Sequence, residues 1–513
     1  MKNVYSKVLL LTLLIFSLSV KSTNYYVTTS GSDSNAGTFL SESLASVTKA
    51  VSKASAGDTI YVRSGTYTLT SRITISKSGT SASKYYLFVY PGDARPILDF
   101  SGMSIGSSNQ GVLLSSANYW YIKGIRIKGA GDNGMQINSG GNNRIEFCDF
   151  YENRDAGLQL KNGTVNNQII NCDAYYNADY VSGSTSYTGG NADGFAPKLD
   201  IGSGNYFYGC RSWLNSDDGW DGLLYADYNI NTTLENCWTW KNGYLSDGTT
   251  TTSDMNGNGF KMGGGWTTDS GGTKHYTFRH NMTLINCMAF MNKGKGFDQN
   301  HNYGAMTIYN GTAYKNGGYN YYINDSVSKA DTVKVINCLY YAGSYSYAIS
   351  SSKNIVVSET NSWNLRAATS SDFQSVDTTG ISGARQSDGS LPEVSFMHLA
   401  SGSSFINAGT NVGVSYNGTA PDLGCFETSD VSGINESTYS SLQIGPIPAQ
   451  DYLKLMNVDE TCQITIVNLR GEIVQSQTLS VGESVYVGFL PSGVYLIQAV
   501  TDTQKYRGKI VKQ

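Results

Sequence analysis

Apolar and polar residues alternate in short runs along most of this chain, and from about residue 145 the runs fall into one repeated phrase. It reads "IEFCDFYEN", "IINCDAYYN", "FYGCRSWLN", "LENCWTWKN", "LINCMAFMN" and "VINCLYYAG", centred on Cys148, Cys172, Cys210, Cys237, Cys287 and Cys338. A seventh copy, "IYNGTAYKN", has Gly311 at the Cys position. The regular spacing is 24 residues (148 to 172, 287 to 311) or 27 (210 to 237, 311 to 338). The gaps of 38 residues before Cys210 and 50 before Cys287 predict a turn or two plus insertions. Short period-two runs between Gly and Asn turns, repeating at this length with no helical period, predict a solenoid of parallel β-coils. Equivalent residues then stack about 4.8 Å apart.

That stacking turns positions into columns. Asn153, Asn177, Asn215, Asn242, Asn292 and Asn316 are expected to form a hydrogen-bonded ladder, with a second Asn column at 171, 236, 286, 310 and 337. The Cys column reads as a small-residue core ladder, with a disulfide between neighbouring turns left open. Tyr151, Tyr175, Trp213, Trp240, Phe290 and Tyr314 form an aromatic column, read as buried stacking rather than a sugar platform.

A helix over Ser41–Ser55, apolar at Leu44, Val47, Val51 and Ala54, is expected to cap the N-terminal end. "GDTIYVRSGTYTL" begins the coils, which run to about residue 350. Residues 355–430 lose the repeat and are expected to pack along or across the end of the solenoid. A polar linker over 431–441 leads to alternating strands over 442–513, a small separate β-sandwich. The overall class is all-β, with a domain spanning 23–430 ahead of the linker.

Residues 1–22 read as a signal peptide. Lys2 and Lys7 flank the start, Val8–Val20 is apolar, and cleavage is placed near Ser22. A retained anchor is the alternative, but the run is short for a membrane span. With 513 residues, a net charge of −4 and no Lys/Arg stripe, nucleic acid is not an expected partner. The expectation is a secreted or cell-surface monomer.

Three segments repeat a further phrase: "NADGF" with Asp193, "NSDDGWDG" with Asp217, Asp218 and Asp221, and "NGNGFKMGG" with Lys261. If Gly-aromatic-x is one strand in successive turns, Leu158, Phe195, Trp220, Phe260 and Phe297 point inward. Gln159, Ala196, Asp221, Lys261 and Asp298 then point outward, and Ala156, Asp193, Asp218, Asn258 and Lys295 form the column before the glycine. Four carboxylates and an amine crowd one face. Clustered oxygen ligands suit Ca²⁺, whereas zinc would want nitrogen or sulfur. A surface acidic patch with a salt bridge is the plain alternative. Lys261, with its pKa lowered by an ion and by burial, would suit proton abstraction α to a carboxylate. In a uronic acid that abstraction removes the C5 proton and breaks C4–O, a β-elimination.

These segments, with "GKGFDQNHN", "RQSDGSLPEVSFMHLA" and "APDLGCFE", resemble polysaccharide lyase family nine over roughly residues 24–430. That family comprises pectate and rhamnogalacturonan lyases on a right-handed parallel β-helix. The resemblance implies Asp193, Asp217, Asp218 and Asp221 as Ca²⁺ ligands and Lys261 as Brønsted base, acting on pectin. Polygalacturonate is the favoured substrate, with the rhamnogalacturonan I backbone as alternative. Lys198, Lys295, Asp298 and His301 are expected to bind substrate. The 442–513 stretch, with Pro-x-Pro, "LRGEIV" and "LPSGVYLI", resembles a type nine secretion sorting domain, implying secretion machinery as a partner. A carbohydrate-binding module is disfavoured there because no surface aromatic cluster is read from it. The rival functions are an inverting β-helix glycoside hydrolase using paired Asp, for which Gly-His-Gly and Arg-Ile-Lys motifs are absent near the cluster, and a non-catalytic sugar-binding solenoid.

Overall fold

The computed structural model describes residues 22–184, 187–226, 228–352, 355–428, 440–468, 473–501 and 504–513. Residues 1–21 of the expected leader and 431–439 of the expected linker lie outside the described residues. Two compact units are present, one ending at Thr428 and one beginning at Ser429.

The first unit is a parallel β-helix of three sheets. A long sheet of twelve strands runs from Asn24–Val27 to Ile355–Glu359. A cleft sheet of ten runs from Ile73–Ile75 to Tyr345–Ile349, and a flank sheet of ten from Thr66–Thr68 to Leu339–Tyr341. Each coil passes from cleft sheet to long sheet to flank sheet and returns. The Asn24–Val27 strand pairs with Thr59–Val62, so the coils start earlier than the sequence pattern suggested.

The main Asn ladder is continuous. Asn153 donates to Asn177 (2.8 Å), Asn177 to Asn215 (2.8 Å), Asn215 to Asn242 (2.9 Å), Asn242 to Asn292 (3.0 Å) and Asn292 to Asn316 (3.0 Å). Each Oδ1 also takes the backbone N–H of the preceding Asn, as Asn177 does from Asn153 at 3.1 Å. A further ladder, Asn143 to Asn167 to Asn205, escaped the sequence reading. The column before each Cys has a different purpose. Asn171, Asn236, Asn286, Asn310 and Asn337 adopt φ of 51–59°, the left-handed region that Asn tolerates best among residues with a Cβ. Only its Asn286–Asn310–Asn337 stretch is also bonded side chain to side chain among the described residues. The six stacked cysteines are buried free thiols, which closes the disulfide alternative among the described residues.

The aromatic column stacks face to face: Tyr151–Tyr175 at 5.1 Å, Tyr175–Trp213 at 4.4 Å, Trp213–Trp240 at 4.8 Å and Trp240–Phe290 at 5.4 Å. It lies on the outer face of the flank sheet, where the chain after residue 370 covers it. Phe396 packs on Phe290 and Tyr314, with Phe373, Leu399, Phe405 and Leu423 in the same apolar cluster. The extension therefore lies along the solenoid.

The N-terminal cap is shorter than expected. Its helix is Val47–Lys53, while Leu40–Glu42 forms a 3₁₀ turn and Leu44 bridges to Val27. Asp33 accepts the backbone N–H of both Ala45 and Ser46 at 2.9 Å, and Ser46 caps Lys49 at 3.1 Å. That pair of interactions fixes the helix start. Val47, Ala50 and Val51 still close the end of the core.

The second unit packs a five-stranded sheet and a three-stranded sheet around a core including Ile464, Ile466, Val485 and Ile497. It does carry an exposed aromatic group. Tyr452 and Tyr486 have ring centroids 5.1 Å apart, and Tyr486 and Phe489 lie 6.1 Å apart. Tyr452 is distant in sequence from Tyr486 and Phe489, which hid the group from a linear reading.

Truncating Phe396 to Ala should destabilise the first unit by about 3–5 kcal/mol, lowering its thermal unfolding midpoint. Leu365→Ala, at a side chain 51% exposed, should stay within about 0.5 kcal/mol of wild type. Equal midpoints for the two variants would contradict the packing of the extension.

Candidate active site

Coil length explains where the site forms. Asp173 is in register with Arg211 and Trp238 with Met288, so the 38- and 50-residue gaps are each a single coil enlarged by insertions. The insertions fall in the connections that border the cleft sheet, around residues 176–194, 241–259 and 262–278. In-sheet segments cannot lengthen without losing register, whereas the connections can.

The cleft sheet aligns the site as the repeat predicts. Phe195, Trp220, Phe260 and Phe297 are in register, buried and stacked inward at 4.8, 5.1 and 5.2 Å. Facing outward, Asp221 is in register with Lys261 and Lys261 with Asp298. Asp193 and Asp218 precede the glycines of adjacent coils, and the Asp218 backbone N–H donates to Asp193 Oδ1 at 3.2 Å. Gly219 is obligatory here, since a Cβ would lie 2.0 Å from Thr239 Oγ1.

Oxygens of Asp193, Asp218 and Asp221 lie within 4.8 Å of one another, and all three residues are buried. Lys261 Nζ lies 3.1 Å from Asp218 Oδ2 and 3.3 Å from Asp221 Oδ1. Asp217 is buried beside them but outside that three-oxygen group, its Oδ1 accepting from the Asn256 backbone at 3.2 Å. Lys198 was expected to face substrate. Instead its ammonium is drawn into the cluster, 2.6 Å from Asp193 Oδ2 and 3.1 Å from Asp221 Oδ2, leaving the residue 8% exposed. Buried carboxylates attract the nearest cation more strongly than solvent holds it. Lys295 pairs with Asp298 at 3.0 Å, one coil beyond Lys261, and its Nζ sits 4.3 Å from the Tyr322 ring centre. His301 is outside the cluster, in the connection after Asp298. It is exposed, stacked on Tyr276 at 4.3 Å and 3.3 Å from Asp325 Oδ2.

Burial raises the Asp193 and Asp218 carboxyls, and burial with Asp218 lifts Asp217 to about 8. Burial also acts on Asp221, but Lys261 and Lys198 outweigh it and hold that carboxyl at about 2. With no ion counted, the carboxylates decide the state of Lys261. Burial lowers its pKa, yet Asp221, Asp218 and Asp217 outweigh burial and raise it well above the usual lysine value. The expected lowering assumed a bound ion, which would engage these same carboxylates.

The residues fit a hard divalent cation. With all four carboxyls ionised, four carboxylates against two ammoniums leave an excess of two negative charges. Asp218 Oδ2 is buried and accepts no hydrogen bond, its approach to Lys261 being ionic. The donor set is all oxygen, as Ca²⁺ prefers.

Sequence reasoning placed Asn258 in the column without giving it a role, and gave none to His280. Asn258 donates its backbone N–H at 2.6 Å and its Nδ2 at 2.9 Å to Asp218 Oδ1, fixing that carboxylate. His280 is buried, with Nδ1 2.8 Å from Gly222 O and Nε2 2.8 Å from Thr232 Oγ1. Burial depresses it to about 4, so it is neutral and ties the end of the Asp221 strand to the long sheet. Its inward position in the alternating run "RHNMTLI" was the available signal.

Comparison with known proteins agrees with this arrangement. Residues 25–354 match a family model described as Pel9A-like, right-handed beta helix region, and residues 443–513 match a secretion system C-terminal sorting domain. The chain is 38% identical over 418 residues to pectate lyase L of Dickeya chrysanthemi, covering 79% of this chain and 90% of that protein. It is 32% identical over 409 residues to a pectate lyase of Emericella nidulans, covering 75% and 94%. Among solved structures, pectate lyase Pel9A superposes with a TM-score of 0.68 at 34% identity, over 80% of this chain and 98% of that one. A rhamnogalacturonan lyase gives 0.63 at 26%, over 74% and 97%.

Lys198→Met should destabilise the protein in chelator by about 3–5 kcal/mol, the usual cost of removing one partner of a buried pair, with part regained on adding a divalent cation. Thermal unfolding with and without chelator measures both effects. The pH dependence has a definite sign. Folded Asp193, Asp217 and Asp218 stand above their unfolded value of about 3.9. They favour folding when protonated, and that contribution is lost as pH rises above about 4, for Asp217 through about 8. Asp221, depressed to about 2, contributes stability above pH about 4 that is lost as pH falls towards 2. The ion-free protein should therefore unfold at a lower temperature at pH about 8.5 than at about 5.5, and added Ca²⁺ should remove the difference. A flat ion-free profile would count against a shared negative site.

Proposed function

Because the chain belongs to the Pel9A-like right-handed β-helix family and is a polysaccharide lyase, we propose that it is a Ca²⁺-dependent pectate lyase cleaving polygalacturonate by β-elimination. The observation that carries the reading is the convergence of Lys261 Nζ on Asp218 and Asp221 at 3.1 and 3.3 Å, with Asp193 completing the oxygen group. Asp193, Asp218 and Asp221 would hold the ion, with Asp217 beside them. A bound Ca²⁺ supplies charge neutralisation to the uronate carboxylate, which acidifies the C5 proton.

Lys261 takes that proton at Nζ. The C5–H electron pair becomes the C4=C5 double bond, the C4–O bond breaks, and the departing oxygen takes a proton from solvent. Lys261 must be neutral to act. Once Asp218 and Asp221 are engaged by other positive charge, their pull on its proton is diminished and burial remains to lower its pKa. Lys198 keeps Asp193 and Asp221 oriented. Asp298, in register with Lys261 and paired to Lys295, lines the next position along the cleft.

Polygalacturonate is preferred over the rhamnogalacturonan backbone because identity is higher to pectate lyase L than to the rhamnogalacturonan lyase. The C-terminal sorting domain marks the chain for export, which suits a polymeric extracellular substrate.

Wild type should release product with the ultraviolet absorbance of an unsaturated uronate, faster on polygalacturonate than on rhamnogalacturonan. Lys261→Ala should lower kcat by about 10²–10⁴-fold while leaving Ca²⁺ binding in place. Chelation should abolish activity, and Ca²⁺ should restore it. Saturated products would indicate hydrolysis, and full activity in Lys261→Ala would remove the assigned base.

A further inference from the structure

The coil carrying Lys261 makes a detour before rejoining the long sheet at Arg279. Gly263, Gly264 and Gly265 all have positive φ, and a Cβ on Gly264 or Gly265 would lie 2.1 or 2.2 Å from the carbonyl oxygen of Asn300 or Leu224. The chain thus leaves the site strand pressed between its two neighbouring coils. It then forms an antiparallel hairpin pairing Thr267 with His275 and Thr268 with Lys274. Asp269 closes the turn, accepting the N–H of Gly271 at 2.9 Å and Thr273 at 2.8 Å.

This hairpin carries large aromatics that belong to no described core cluster. Trp266 is 41% exposed, with Lys274 Nζ 3.9 Å from its ring centre. Tyr276 lies 6.0 Å from Trp266 and stacks on His301 at 4.3 Å. His301 comes from the next coil, three residues after Asp298. The rings therefore form a row from the Lys261 coil to the Asp298 coil, along the solenoid axis and bordering the cleft sheet. Aromatic residues normally stabilise a fold through burial. Here a half-open Trp with a cation at its face stands beside a cleft proposed to hold a polyanion.

We propose that the hairpin is a uronate-binding wall of the cleft. Trp266 and Tyr276 offer stacking faces to pyranose rings, and Lys274 offers positive charge to a galacturonate carboxylate. The assignment rests on the pectate lyase reading above. It extends recognition beyond the residues that hold the ion and move the proton.

Binding of an oligogalacturonate to the Lys261→Ala protein in Ca²⁺, followed by calorimetry, tests the wall without turnover. Adding Trp266→Ala should weaken binding about tenfold, equivalent to about 1.4 kcal/mol, and Trp266→Phe should recover most of that loss. Adding Lys274→Gln should weaken binding at low salt, with the deficit shrinking as salt screens the charge. A neutral oligosaccharide of the same length should not respond to Lys274→Gln. Unchanged affinity in the Trp266→Ala background overturns the wall, as does a loss that Phe cannot recover. Failure of wild type to form unsaturated product from any galacturonate polymer overturns the parent reading instead, so the two failures are distinct.

Discussion

Everything in the first unit depends on one constraint: in a parallel solenoid each side chain meets the residue one coil away at about 4.8 Å. A residue type that can bond or pack with its own kind becomes a ladder. Asn does so through complementary amide groups, aromatics by stacking, and Cys by filling space with a weak donor to the coil's carbonyls. Charged residues have no such option. Like charges in register repel and need opposite charges, from further along the column or from outside it.

Two buried acidic steps show the alternatives. In the flank sheet Asp149 and Asp173 are in register, and arginines clamp them: Arg95 and Arg126 on Asp149, Arg211 and Arg385 on Asp173, at 2.6–2.9 Å. On Asp173, burial is outweighed by Arg385 and Arg211, and the carboxyl stays ionised. Arg385 belongs to the extension, so this compensation also fastens residues 370–428 to the solenoid. In the cleft sheet the outward column alternates in sign through Asp221, Lys261 and Asp298, and Lys198 and Lys295 pair its two carboxylates from beside it. The neighbouring column does not alternate. Asp193 and Asp218 follow one another, and their compensation is two lysines shared with Asp221. The deficit of positive charge sits at that step, which is why the cation is assigned there.

Solenoid register is also why so much was legible in sequence. Once the Cys phrase sets the coil, Asp221, Lys261 and Asp298 must align, whatever the loops between them do. What escaped notice involves contacts that do not follow the register. Lys198 lies just past its strand and turns back into the cluster. The length of a loop, unlike that of a strand, carries no periodic signal, so the enlarged coils before Cys210 and Cys287 could not be told from extra turns. The extension has no repeat, and its place on the aromatic column is fixed by single contacts such as Phe396 on Phe290. The expected lowering of the Lys261 pKa belongs to the cluster with an ion bound; without that ion the same carboxylates act on the amine and raise it.

That last point links the electrostatics to the proposed chemistry. The same carboxylates serve as ion ligands and as counter-charge for the base. While Asp218 and Asp221 are uncompensated, they keep Lys261 protonated and unable to accept the C5 proton. Compensation weakens that hold and leaves burial, which favours the neutral amine. Lys198 does not substitute for the ion in this respect. Its single charge is already present in the cluster, and Lys261 is still held protonated. On the proposed reading, a bound cation is what would separate a resting salt-bridged cluster from one with a usable base.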